Sequence, residues 1–359
     1  MSSLFNPLTF QRGPEMKNRV VMAPITNWQS HEDGTLSDDE YKWLTMRANS
    51  GFGLTMTCAA HVQAGGKGFP GQLGFFSDDL LPGLKRLADG IKEGGSIAIA
   101  QLYHGGMRAS KELTGEQPVS ASALEKYGTR ALSTEEVEQL VEDFILAAIR
   151  AEKAGFEGVE VHGAHGYLLC QFLSPDLNLR EDKYGGSLEN RARVIFEIID
   201  GIRDRCGENF NISVRLSPER FGMKLAEVIE VAKKILTEGK IDFLDLSLWD
   251  FRKEPEEEEF RGRSLMSYFT ELDRGNVRLT VAGKIMSAAD CREAIEAGAD
   301  FVMAGRAGIL HHDFVQQLEA DADFKSIELP VTRTHLENEG LNKRFIEYMA
   351  SWDGFVVAE

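Results

Sequence analysis

From Ser133 onward, short apolar runs alternate with longer stretches whose apolar residues recur at helical spacing, and this alternation restricts the fold more than any other feature of the chain. Ser133 and Glu136 form an S-x-x-E helix start, after which Val137, Leu140, Val141, Phe144, Ile145 and Ala148 keep one face until Gly155 supplies a stop. The spacing then predicts a strand around Val159 to Val161. Ile195, Ile198, Ile199 and Ile202 stripe the next helix and lead to a strand at Ile212 to Leu216. Leu225, Val228, Ile229, Ala232 and Ile235 stripe another, leading to Phe243 to Leu248. Strands at Val277 to Ala282 and Phe301 to Ala304 flank a helix with an S-x-x-D start at Ser287 and Asp290 and an end near Gly298. Towards the N-terminus, Arg19 to Met22, Leu54 to Cys58 and Ile97 to Leu102 bring the strand count to eight.

Eight parallel strands in one chain predict an α/β fold, a (β/α)8 TIM barrel. An open doubly wound sheet would place a Gly-rich turn after its first strand, but Val20-Val21-Met22 runs into Ala23-Pro24 with no G-x-G-x-x-G. No linker divides the region, so a single barrel domain is expected over 1–328, followed by a helical tail over 329–359. On that tail Phe345, Tyr348, Met349 and Trp352 form a stripe suited to packing on the barrel or on a partner subunit.

Charge narrows the partners. With 40 Lys+Arg against 57 Asp+Glu the formal charge is −17, and no basic run offsets it, so nucleic acid and anionic membranes are not expected. No apolar run approaches the ~18 residues a span needs. Cys58, Cys170, Cys206 and Cys291 are scattered, without a C-x-x-C pair, which suits a cytoplasmic protein with reduced thiols.

Barrel chemistry collects at the C-terminal ends of the strands. The fourth strand ends in His162-Gly163-Ala164-His165-Gly166-Tyr167, which puts two imidazoles and a phenol at one mouth. Two histidines three apart could also ligate zinc, but strand one offers no third ligand at its end, and no metal is expected. Thr26 and Trp28 follow strand one, Ala59 follows strand two, and Gln101 and His104 follow strand three. Arg215 stands inside an apolar strand, a costly place for a cation unless it meets an anion or an electron-rich acceptor. Strands seven and eight end in Ala282-Gly283-Lys284 and Ala304-Gly305-Arg306, where barrels commonly hold a phosphate through loop N–H groups.

Together these residues resemble the Old Yellow Enzyme family of FMN-dependent ene-reductases, from about Leu4 to Ala320. Lys17 to Pro24, Gln101-Leu102 with His104-Gly105-Gly106 and Arg108, and the stretch from His162 through Ser174-Pro175 to Tyr184-Gly185-Gly186-Ser187-Leu188-Glu189-Asn190-Arg191 carry the likeness. The resemblance implies FMN across the barrel mouth. Ala23, Pro24, Thr26, Ala59, Gln101, His162 and Arg215 would contact it, with Gly283, Gly305 and Arg306 on its phosphate. It implies NADH or NADPH as reductant and an electron-poor alkene as acceptor. His162 and His165 would grip the acceptor's oxygen, Tyr167 would supply a proton, and Trp28, where many relatives carry tyrosine, would line the substrate space. The aromatic tail and the habits of the family suggest a homodimer. Two other readings stand beside this one: a metal-dependent hydrolase using His162 and His165, and a non-catalytic flavin-binding module. The acidic run Glu256 to Glu259 is expected to be a solvated loop or a lid that disfavours anionic substrates.

Overall fold

The computed structural model describes residues 4–358; Met1 to Ser3 and Glu359, which the ranges 1–328 and 329–359 include, lie outside the described residues. Eight strands close into one parallel barrel: β1 (Val20–Met22), β2 (Leu54–His61), β3 (Ile97–Tyr103), β4 (Gly158–Gly163), β5 (Asn211–Leu216), β6 (Phe243–Ser247), β7 (Arg278–Ala282) and β8 (Phe301–Ala304). Closure comes from β1 pairing with both β2 and β8, Val21 opposite Leu54 on one side and Met303 on the other. Helices cover the outside, so the strands are buried on both faces and read as nearly continuous apolar runs.

β2 and β3 run further than their apolar cores suggest, to His61 and Tyr103, because hydrogen bonding continues through buried polar residues such as Thr57 and Gln101. At the opposite end, the antiparallel contact of Leu8 with Met16 carries Phe10 under the barrel. The Phe10 ring lies 5.5 Å from Phe243 and 5.8 Å from Phe301, and Val21, Leu54, Ile99 and Met303 complete this floor. The barrel is therefore shut below and open only at the C-terminal mouth.

The helix Thr134–Lys153 begins with the full reciprocal box between Ser133 and Glu136, and its apolar stripe is buried. At Ser287 only half of the expected box forms: its hydroxyl accepts from Asp290 N–H, but the Asp290 carboxylate takes the N–H of Met286 instead. A short ribbon of Val119–Ser120 with Arg130–Ala131 lies outside the barrel. The acidic run is not wholly solvated, since Glu257 accepts the Leu225 N–H at 2.7 Å and so caps the helix Leu225–Glu238.

After β8 the chain returns over its own barrel. Arg47, fully buried in the helix Asp38–Asn49, donates to the carbonyls of Gly308 and Glu339 at 2.8 and 3.0 Å, and His312 Nδ1 lies 2.8 Å from the Glu339 carboxylate. These contacts set the helix Lys343–Ala350 so that Phe345 packs edge-on against Trp43 at 5.4 Å, while Tyr348 turns towards the mouth. No helix among the described residues is long and apolar enough to cross a membrane.

Candidate active site

Two connected chambers occupy the mouth, of about 380 Å³ and about 270 Å³, within the usual range for small-molecule sites. Pro24, Ile25, Arg215 and Trp352 line both, so they form one cleft. The first chamber takes Ala23, Gly283, Gly305 and Arg306; the second takes Thr26, Ala59, Gln101, His162, His165 and Tyr167. Every residue singled out from the strand ends as a cofactor or catalytic contact thus faces one cleft. Trp28 does not. It backs the cleft, stacked on Tyr348 at 4.8 Å and 19°, and leaves the position nearer the substrate space to that phenol.

β4 and the turn after it position the pair of imidazoles. His165 and Gly166 both adopt left-handed backbone (φ 61° and 69°), which folds the chain back over the strand end, and Ser217 Oγ holds the His165 N–H at 3.0 Å. Hydrogen bonds then fix the tautomers. The Ala164 N–H donates to His162 Nδ1 at 3.2 Å, so a neutral His162 carries its proton on Nε2. That nitrogen faces His165 Nδ1 at 3.3 Å, which must accept, so His165 carries its proton on Nε2, and this N–H meets Ser247 Oγ at 2.6 Å. Burial and the cations Arg215 and Arg108 push both rings well below the ordinary histidine range, so they are neutral donors at pH 7. The His162 N–H is the more available, its bond to His165 being long. Ser247, which the sequence reading passed over, keeps the other engaged.

Tyr167 follows at the N-terminus of the helix Leu168–Leu173, its ring edge-on to Tyr103 at 4.5 Å and to His162 at 5.1 Å. The Arg108 guanidinium covers the Tyr167 ring at 4.9 Å and donates to the His165 carbonyl at 2.6 Å, tying the loop after β3 to the turn after β4.

Arg215 has the anion that its place in an apolar strand demands: its Nε lies 2.8 Å from Asp245 Oδ2 on β6. Among the described residues Arg215 forms no second ion pair, and its side chain lines both chambers. Gln101 donates through Nε2 to Glu160 at 2.7 Å, leaving its carbonyl oxygen towards the second chamber. At the far end Lys284 is neutralised by Asp250 at 2.9 Å, whereas Arg306, half-buried at the start of the helix Arg306–Leu310, forms no ion pair among the described residues. A Cβ built on Gly305 would meet only Ile25 Cδ1, at 3.7 Å, so the space before this turn is open.

These features fit FMN: an elongated cleft with an unpaired cation and open glycine turn at one end, and a free amide oxygen and guanidinium at the other. Residues 3–323 match the model of the NADH:flavin oxidoreductase / NADH oxidase family. The chain belongs to this family. Its relatives include the "Probable NADH-dependent flavin oxidoreductase YqiG" of Bacillus subtilis (strain 168), 34% identical over 364 residues, which span 98% of this chain and 97% of that one. An NADH:fumarate oxidoreductase of Klebsiella pneumoniae (strain 342) is 32% identical over 350 residues, but they span only 37% of that longer protein. Among solved structures, the Old Yellow Enzyme homologue from Zymomonas mobilis superposes with a TM-score of 0.79 at 26% identity, covering 93% of this chain and 96% of its own. The chain is accordingly an FMN-dependent NAD(P)H oxidoreductase of the Old Yellow Enzyme family, and the hydrolase alternative is set aside.

Among the described residues, no group of three or more His, Cys, Asp or Glu is arranged to hold a metal ion. The sequence reading missed Tyr348 and Trp352 at the site, because the tail stripe says that the helix packs and not where it lands. It also missed Glu160 and Asp245, although a signal existed: each is a carboxylate inside an apolar strand, and Glu160 sits two residues before His162, on the same strand face.

Proposed function

We propose that this enzyme reduces the carbon–carbon double bond of α,β-unsaturated carbonyl or nitro compounds, with residues 329–358 serving as a tail that roofs the site. The observation carrying this reading is that His162, His165 and Tyr167 line the same small chamber as Gln101 and Arg215. FMN, when bound, supplies the hydride chemistry, accepting from NAD(P)H and giving to the β carbon of the acceptor.

The protein's own share follows from its donors. Ala23, Pro24, Thr26, Ala59, Gln101 and Arg215 would hold the ring system, and Gly283, Gly305 and Arg306 the phosphate. His162 Nε2–H turns from His165 to the acceptor's oxygen, joined by His165 when that ring releases Ser247. A neutral donor pair stabilises negative charge growing on that oxygen without giving up a proton to it. Tyr167 Oη–H then protonates the α carbon as general acid. Tyr348 and Trp352 exclude water from above. The acidic total charge and unpaired cysteines support a cytoplasmic enzyme acting on small molecules.

Stopped-flow mixing tests the reading. The purified yellow protein should be bleached by NADH or NADPH, and its colour should return rapidly with cyclic enones or nitroalkenes. Rapid bleaching without reoxidation by any member of such a panel would reduce the protein to a flavin carrier.

A further inference from the structure

Beneath the mouth, Glu160 and Asp245 are each 0% exposed and Arg215 is 5% exposed, so two carboxyl groups and one guanidinium share the barrel interior. Asp245 is the one in contact with Arg215, and neither of its oxygens has a well-aligned hydrogen bond. Glu160 accepts from the Gln101 amide at 2.7 Å and, over a long 3.4 Å, from Ser213 Oγ, a hydroxyl that by rotating could instead accept a hydrogen bond from a protonated carboxyl. His162, two residues on along the same strand, and His165, 5.0 Å from it ring to ring, are both neutral, so among the described residues Arg215 is the one cation acting on these two carboxyl groups. Two buried negative charges against one positive charge would leave one uncompensated, and such a group takes up a proton instead. Burial and the neighbouring Asp245 charge push Glu160 upward, and Asp245 is raised less because Arg215 adjoins it.

We infer that Glu160 is a positioning residue kept as a neutral carboxylic acid at pH 7. In this state it holds Gln101 with its carbonyl oxygen turned to the chamber and leaves the Arg215 charge shared only between Asp245 and the cofactor. The inference rests on the FMN reading of the cleft. Its consequence is directional: loss of the Glu160 proton at alkaline pH places a second negative charge beneath the site and weakens the hold on an electron-rich ligand.

The test is titration of apoprotein with FMN, followed by quenching of flavin fluorescence, from pH 7 to pH 9.5, together with infrared spectra of the apoprotein. Wild type should lose FMN affinity by about 10-fold or more across that range, the scale of one added charge at short range in a protein interior. Glu160→Gln, a neutral mimic of the same shape, should bind FMN at pH 7 as wild type does and lose most of the alkaline decline. The difference spectrum of wild type minus Glu160→Gln at pH 7 should contain the carbonyl band of a protonated acid. Asp245→Asn should move the decline to lower pH, because Glu160 then becomes the sole counter-ion of Arg215. A wild-type profile shared unchanged by Glu160→Gln, or a difference spectrum holding only a carboxylate band, would overturn the assignment. If Glu160→Gln does not fold, an Asp245→Asn profile identical to wild type overturns it equally. Wild-type protein that binds no FMN at any pH would refute the flavin reading itself, and the infrared band would still decide the state of Glu160.

Discussion

A single backbone N–H sets much of the chemistry at the mouth: because Ala164 donates to His162 Nδ1, the only proton a neutral His162 can offer is on Nε2, which is engaged only by a long 3.3 Å contact with His165 Nδ1. His165 is differently placed, its Nε2 held by Ser247 at 2.6 Å. His162→Ala should therefore slow reoxidation by an enone by roughly 10²–10³-fold, the cost of one charge-stabilising donor. His165→Ala should cost less, and stopped-flow rates of the two variants side by side decide it. Equal losses would mean that Ser247 releases its partner freely. Arg306 gives a second residue-scale expectation, since among the described residues it lines that end of the cleft without a carboxylate partner, whereas Lys284 is paired with Asp250. Arg306→Ala should weaken FMN binding about 10–100-fold, in line with one charge-assisted contact to phosphate, as read by equilibrium dialysis. Undiminished affinity would move the phosphate elsewhere.

At the scale of elements, periodicity revealed what periodicity governs. All eight barrel strands and the box at Ser133 were legible, because burial on both faces makes a parallel strand an apolar run and a helix start has its own chemistry. The ribbon at Val119 and Arg130 was not, being too short to show alternation. Nor was the landing site of the tail, which depends on tertiary anchors contributed by Arg47 and His312. That landing changes the part assigned to Trp28. Its indole braces Tyr348, and Tyr348 with Trp352 forms the roof. Trp352→Ala should accordingly raise the relative rate with bulky enones over small ones, by up to about tenfold for the methylene-scale discrimination that pockets achieve. Trp28→Tyr should act in the same direction, more weakly, by loosening the stack. Product ratios from a mixed-substrate assay measure both, and unchanged ratios in the Trp352 variant would place the roof outside the substrate space.

Over the whole molecule, a barrel sealed at the floor by Phe10 and roofed by its own tail concentrates buried ionisable groups around one cleft, and that concentration carries a pH signature. His162 and His165 have folded pKa values held below the ordinary 6.5, so the stability they confer is present above that value. It is lost as pH falls, because unfolded histidines take up protons that the folded rings refuse. Thermal melts of the apoprotein should show Tm falling below about pH 6.5, and less steeply in His162→Gln; identical slopes would assign the acid limb to carboxylates alone.

The most direct test of the proposed reaction separates its two halves at Tyr167. Tyr167→Phe keeps the ring against Tyr103 and under Arg108 while removing the proton of Oη. Anaerobic stopped-flow should find bleaching by the nicotinamide close to wild type. Reoxidation by a simple cyclic enone should slow by about 10²–10⁴-fold, with a nitroalkene spared because its product can be protonated in water. Equal slowing of both halves, or enone reduction at the wild-type rate, would contradict the account and give the proton to another donor.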